Sequence, residues 1–223
     1  MIVSTPTPVR ITQLSVPPLE TGEHGFGAGW LRTLAFVMLK PGHFFARLGA
    51  GPLHKPMAFA LLSVALPVVI AELGALQQGD VESDNTALAI AKAFLIPPLA
   101  VLWIAYVQPV VWRRTLALFK SRAPSSIAPR AMLYLTAVAA TLGLIMTFAG
   151  FVPESAPYVI TWYASLNAAY LYIFYALVRL ARGPYALSTA RAIAAVALFE
   201  LAYALLLFVA ALALFAASAA LTK

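Results

Sequence analysis

The sequence predicts an all-α fold: a polytopic integral membrane protein, a bundle of five transmembrane helices preceded by a short amphipathic interfacial helix. Three observations carry that expectation. Apolar residues make up 62% of the chain and charged residues 10%, with a mean hydropathy of +0.88. A soluble domain carries about 45–50% and about 25%, so these few charges cannot cover a water-facing surface, and a bilayer is the solvent that fits. Apolar runs of about 20 residues, enough to cross the hydrocarbon as helix, recur along the chain. The sign of the charges alternates from one connecting loop to the next.

Residues 1–29 are rich in Pro, Thr, Gly and Glu and read as a flexible cytoplasmic tail. They lack the basic region and apolar core of a signal peptide. Residues 30–55 read as the interfacial segment. Trp30, Leu34, Val37 and Met38 follow helical spacing. Pro41 ends that turn and can start another, Phe44, Phe45 and Leu48 supply an apolar face around Arg47, and Gly49 and Gly51 let the chain bend. Such an element lies on a leaflet as an anchoring collar. A sharper reading makes Trp30, Pro41, Phe44, Phe45 and Arg47 a surface for docking a partner.

The transmembrane domain, 56–221, contains spans at 56–76, 86–111, 131–151, 157–180 and 192–221. Pro67 reads as a kink in the first, and Pro97–Pro98 as an interruption of the second. The last is long enough to require tilt or an exposed end. Arg32, Lys40, Arg47 and Lys55 precede the first span. Arg113, Arg114, Lys120, Arg122 and Arg130 surround the second loop, and Arg179, Arg182 and Arg191 the fourth. Asp80, Glu82 and Asp84 occupy the first loop and Glu154 the third. Lys/Arg bias fixes orientation, so the N-terminus and even loops are expected in the cytoplasm and the C-terminus outside. Alanine richness and short loops point to a bacterial inner membrane.

The net charge of +7 then reads as contact with anionic headgroups at the cytoplasmic face rather than with nucleic acid. The chain has no cysteine, which excludes disulfides, thiolate metal sites, cysteine nucleophiles and palmitoylation.

Leu34–Leu48, with Pro41, Phe44 and Phe45 as a P-x-x-F-F unit, leads into Pro56–Leu62 at the opening of the first span. The fourth loop, Ala181–Ala192, is a short polar turn ending in Arg191–Ala192. In these features and in the five-span layout, residues 30–215 resemble the Yip1 domain family in its compact bacterial form. The D-L-Y-G-P motif of eukaryotic members is not present. The resemblance implies a fold and a membrane compartment more than a chemistry.

An ionisable group in mid-membrane is a functional candidate by default, and Glu200 lies about 9 residues into the fifth span, near the bilayer centre at about 1.5 Å per residue. Asn167, Tyr170 and Tyr172 on the fourth span are its candidate partners. The plainer reading is a hydrogen-bonded or protonated carboxyl that holds helices together. Glu72 and Lys92 lie nearly symmetrically about the first loop and are expected to pair near the outer interface, unless Lys92 snorkels outward alone.

His24, His43 and His54 have no metal-ligand spacing, and no metal or cofactor is expected. Gly25, Gly27 and Gly29 follow no strand and do not read as a nucleotide loop. Trp103, Trp112 and Trp162, with Tyr158 and Tyr163, read as an aromatic belt. No serine stands in G-x-S-x-G.

The leading expectation is therefore a non-enzymatic scaffold that organises partner proteins or lipids, with a membrane protein or a second copy of the chain as partner. The alternative is a small-solute or ion transporter or channel with Glu200 on its pathway. An intramembrane enzyme ranks third. A cavity reaching Glu200 distinguishes a pathway from a dry bundle.

Overall fold

The structure, a computed structural model, describes residues 17–21, 25–77, 86–121, 126–150 and 156–221. Among them it contains helices and no strand: α1 (Pro18–Thr21), α2 (Phe26–Leu39), α3 (Pro41–Arg47), α4 (His54–Gln77), α5 (Thr86–Tyr106), α6 (Gln108–Leu118), α7 (Ile127–Gly150), α8 (Ala156–Arg182) and α9 (Thr189–Leu221). Five stretches are long and apolar enough to cross a membrane: His54–Glu72, Ile90–Leu118, Ile127–Leu144, Tyr163–Arg182 and Thr189–Ala213.

The third span is the centre of the bundle. Its most apolar stretch is 56% buried, against 22–28% in the other four. Ala128, Ala131 and Ala137 are fully buried there, and small side chains let α7 close on α4, its most extensive neighbour. The remaining helices pack around this pair, α5, α6 and α8 against α7, and α9 against α6 and α8.

Burial is concentrated at one end. Phe59, Ala60, Val101, Ala105, Trp112, Leu180, Ala181, Ala195 and Val196 are closed off near the end that carries Arg113, Arg114, Arg179, Arg182 and Arg191. Towards the other end, Phe94, Leu95, Leu99, Leu166, Leu171, Leu205 and Phe208 are exposed on the protein surface. In a bilayer that apolar surface faces acyl chains at no cost.

Prolines act differently from the sequence-based expectation. α4 runs through Pro67 and α5 through Pro97 and Pro98 without a break. The second span breaks at Val107 instead. Pro109 has no N–H for the Ala105 carbonyl, and α5 gives way to α6 across Val107, whose backbone stays helical (φ −85°, ψ −52°) and whose carbonyl accepts from Val110 (3.0 Å) and Val111 (3.3 Å).

The collar is two helices joined at Lys40, with Pro41 in the first turn of α3. Its apolar residues are part of the protein core. Pro41, Phe44, Phe45 and Leu48 are buried, and Phe44 meets the Tyr134 ring edge-on at 5.0 Å between centroids. A partner-docking role for Pro41, Phe44 and Phe45 is corrected accordingly, since these residues are already buried where α3 packs against α8, α2 and the Tyr134 ring of α7. Trp30 is half-buried and donates to the Ser63 hydroxyl on α4 (3.1 Å). Arg47 is the exposed member of the set.

The flexible-tail expectation also changes for residues 17–21 and 25–29. Pro18–Thr21 form α1, and Gly25 caps α2, whose first turn is residues 26–29. At Gly29 a side chain would press within 3.2 Å of the Leu19 backbone, so glycine permits the close approach of α1 to α2. Residues 1–16 and 22–24, including His24, lie outside the described residues, as do Asp80, Glu82, Asp84, Arg122 and Glu154.

Candidate functional site

Arg130 lies in the first turn of α7, at the basic end, and is only 3% exposed. A guanidinium so deeply buried requires partners, and the N-terminal segment supplies the main one. The Glu20 carboxylate accepts from Arg130 Nη2 through Oε2 and from the Tyr134 hydroxyl through Oε1. Arg130 Nη1 donates to the Gly49 carbonyl. Arg130 Nε is buried with no hydrogen bond to a described residue.

Three further contacts hold the segment in place. Lys55 Nζ donates to the Glu20 carbonyl (2.6 Å), the Leu19 N–H donates to Thr33 Oγ1 (2.9 Å), and Leu19 is buried. Tyr134 is fully buried between Phe44 and Phe59. Its helix position, one turn beyond Arg130, places both donors on the same face. Beside this network lies a cavity of about 520 Å³, bounded by α1, the Gly49–Pro52 linker, Arg47, His54, Lys55 and Arg130.

A second recess, of about 230 Å³, contains Glu200. Gln108, beside the helix break, Thr136, Tyr170 and Tyr203 bring polar groups to it, and Leu177 and Phe199 are among its buried apolar walls. Glu200 is half-buried and faces α7 and α8, with no hydrogen bond to a described residue. Of its three expected partners, only Tyr170 shares the recess. Asn167 is exposed and donates to the Tyr163 carbonyl of its own helix (2.7 Å). The Tyr172 hydroxyl donates instead to the Met38 carbonyl (2.6 Å), with the Val37 carbonyl 3.1 Å away, capping the end of α2.

The expected Glu72–Lys92 pair is not formed. Lys92 is exposed and Glu72 partly exposed, and neither makes an ion pair with a described residue. Both lie in the loosely packed half, where hydrated headgroups compete well with a protein partner.

The aromatic-belt expectation is corrected for Trp103 and Trp112. Trp103 donates to the Tyr203 hydroxyl (2.9 Å). Trp112 is fully buried, edge-on to Phe199 at 5.1 Å and to Tyr185 at 6.0 Å. Burial pushes the Tyr185 phenol up to about 12, keeping it protonated. The side chains of Tyr158 and Trp162 lie outside the described residues.

Sequence reasoning missed Glu20, Tyr134 and the burial of Arg130. One signal was present: Arg130 stands inside the apolar run Ile127–Leu135, where a charge needs a partner. Its partner lies 110 positions away, so spacing alone could not identify Glu20.

The fold and its apolar spans define a multi-pass integral membrane protein. No protein-family model, no curated protein and no solved structure matches the chain.

Proposed function

We propose that this is a non-enzymatic membrane scaffold that organises partner proteins or lipids at its basic end, with a Yip1-like architecture. In this reading the basic end and the N-terminus face the cytoplasm of a bacterial cell. The observation that carries the proposal is the docked collar. Helices α1–α3 are fixed to the basic end of the bundle by the Glu20–Arg130–Tyr134 network, Lys55, Tyr172 and the buried Phe44–Phe45 pair. They give the spans a rigid platform at the membrane surface, and preorganised surfaces suit binding.

A second reading, transport, is favoured by the recess at Glu200 next to the break at Val107. Polar groups beside broken helices mark pathways in transporters. Against it, Met132, Leu135, Leu177 and Phe199 line the recess and are buried in the core on its basic side.

Reconstitution into vesicles separates the readings. The scaffold reading expects no proton or ion flux above that of empty vesicles, and the same behaviour from Glu200→Gln. A flux present in the unaltered protein and lost in a stably folded Glu200→Gln variant would replace the scaffold with a transporter.

A further inference from the structure

The geometry points to a binding site for a phosphate group in the cavity between Arg47, Lys55, Arg130 and the Gly49–Pro52 linker. This goes beyond the scaffold reading and does not depend on it. Among the described residues, three cations, Arg47, Lys55 and Arg130, and one carboxylate, Glu20, border about 520 Å³ of space. Two of the cations are held in place. Arg130 is buried and fixed by Gly49 and Glu20, and Lys55 is tied to the Glu20 carbonyl. A site built this way has met much of its ordering cost before a ligand arrives.

The linker contributes donors as well. The backbone N–H groups of Ala50 and Gly51 make no hydrogen bond to a described residue, and both residues border the cavity. Gly51 leaves room for the guanidinium, since a side chain there would come within 2.9 Å of Arg130 Nη1 and make it shift. Guanidinium, ammonium and free amide N–H groups around one space match the several acceptor oxygens of a phosphate.

The location narrows the source. His54, on the cavity rim, is the first residue of the first span, so the cavity lies where a bilayer's headgroups begin. Basic pockets at this level take anionic headgroups. A phospholipid phosphate and a soluble phosphoester present the same chemistry, and the experiment distinguishes them.

The full chain, purified in a neutral detergent, is titrated with phosphatidylglycerol, with phosphatidylcholine, and with glycerol 3-phosphate or inorganic phosphate, and thermal unfolding is followed. The expected result is saturable stabilisation by phosphatidylglycerol over phosphatidylcholine. Lys55→Gln should weaken binding about fivefold, and Arg47→Gln with Lys55→Gln about thirtyfold, from roughly one charge contact each. His54→Glu, an exposed change on the rim, should weaken it about fivefold; it serves as the readout if the double variant does not fold. Arg113→Gln with Arg114→Gln, exposed elsewhere on the basic end, should leave binding within about twofold. Stabilisation by phosphatidylglycerol alone identifies a lipid headgroup, and stabilisation by the soluble phosphates with the same variant sensitivity identifies a soluble phosphoester. Either supports the site. No stabilisation by either class of probe, or an equal loss in the Arg113/Arg114 variant, overturns it.

Discussion

At the scale of single residues, the Glu20 carboxylate is divided between two donors, Arg130 and Tyr134. Breaking a buried pair costs more than the pair contributes, because the remaining charge stays desolvated. Tyr134→Phe removes a single hydrogen bond and should cost about 1–2 kcal/mol. Glu20→Gln keeps the shape but leaves Arg130 without a counter-charge, and should cost about 3 kcal/mol. Because both changes act on one carboxylate, their combination should cost clearly less than the sum. Thermal or denaturant unfolding of the four proteins in one detergent measures this, and strict additivity would show that Tyr134 and Glu20 do not interact. The apolar run around Arg130 was the one sign in the sequence of its burial, and nothing in the spacing pointed to Glu20 as its partner. Glu200, by contrast, was legible because a carboxylate in a long apolar run stands out, and the structure places it towards α7 and α8.

Among the helices and turns, the spans were readable because apolar length is a strong signal, and their ends fall within a few residues of the charges that flank them. The break in the second span was misplaced. Pro97 and Pro98 are conspicuous in the sequence, but the helix continues through them, whereas Pro109 ends α5 where Trp112 turns into the core. Which proline breaks a helix depends on neighbours that local sequence does not show. The fourth loop contains a different kind of strain. Ala186 adopts φ of 51°, a left-handed conformation that costs a residue with a side chain about 1 kcal/mol. Its N–H bonds the Gly183 carbonyl (3.2 Å), which fixes the turn between α8 and α9. Ala186→Gly relieves the strain and should raise stability by about 0.5–1 kcal/mol. An unchanged or lower melting temperature would show that the turn relaxes away from this conformation.

For the molecule as a whole, charge and burial coincide: the end rich in Arg and Lys is also the end with the packed core. The charge pattern was legible because loops of opposite sign alternate, but the packing asymmetry was not, since Leu and Ala look the same facing lipid or protein. With the basic end in the cytoplasm, Ser126→Cys, exposed just before α7, should resist a membrane-impermeant thiol reagent in intact cells, and Ser83→Cys in the acidic loop should react. The reverse pattern would invert the orientation. The long separation between Glu20 and Arg130 also sets an order of events during synthesis. The N-terminal segment leaves the ribosome first, yet the guanidinium that receives it enters with the third span, 110 residues later. Until then α1 has no partner on α7 and the collar can be only partly seated. Closure of this end is thus a late step of assembly, and its completion reports that the third span has entered the membrane in the right direction.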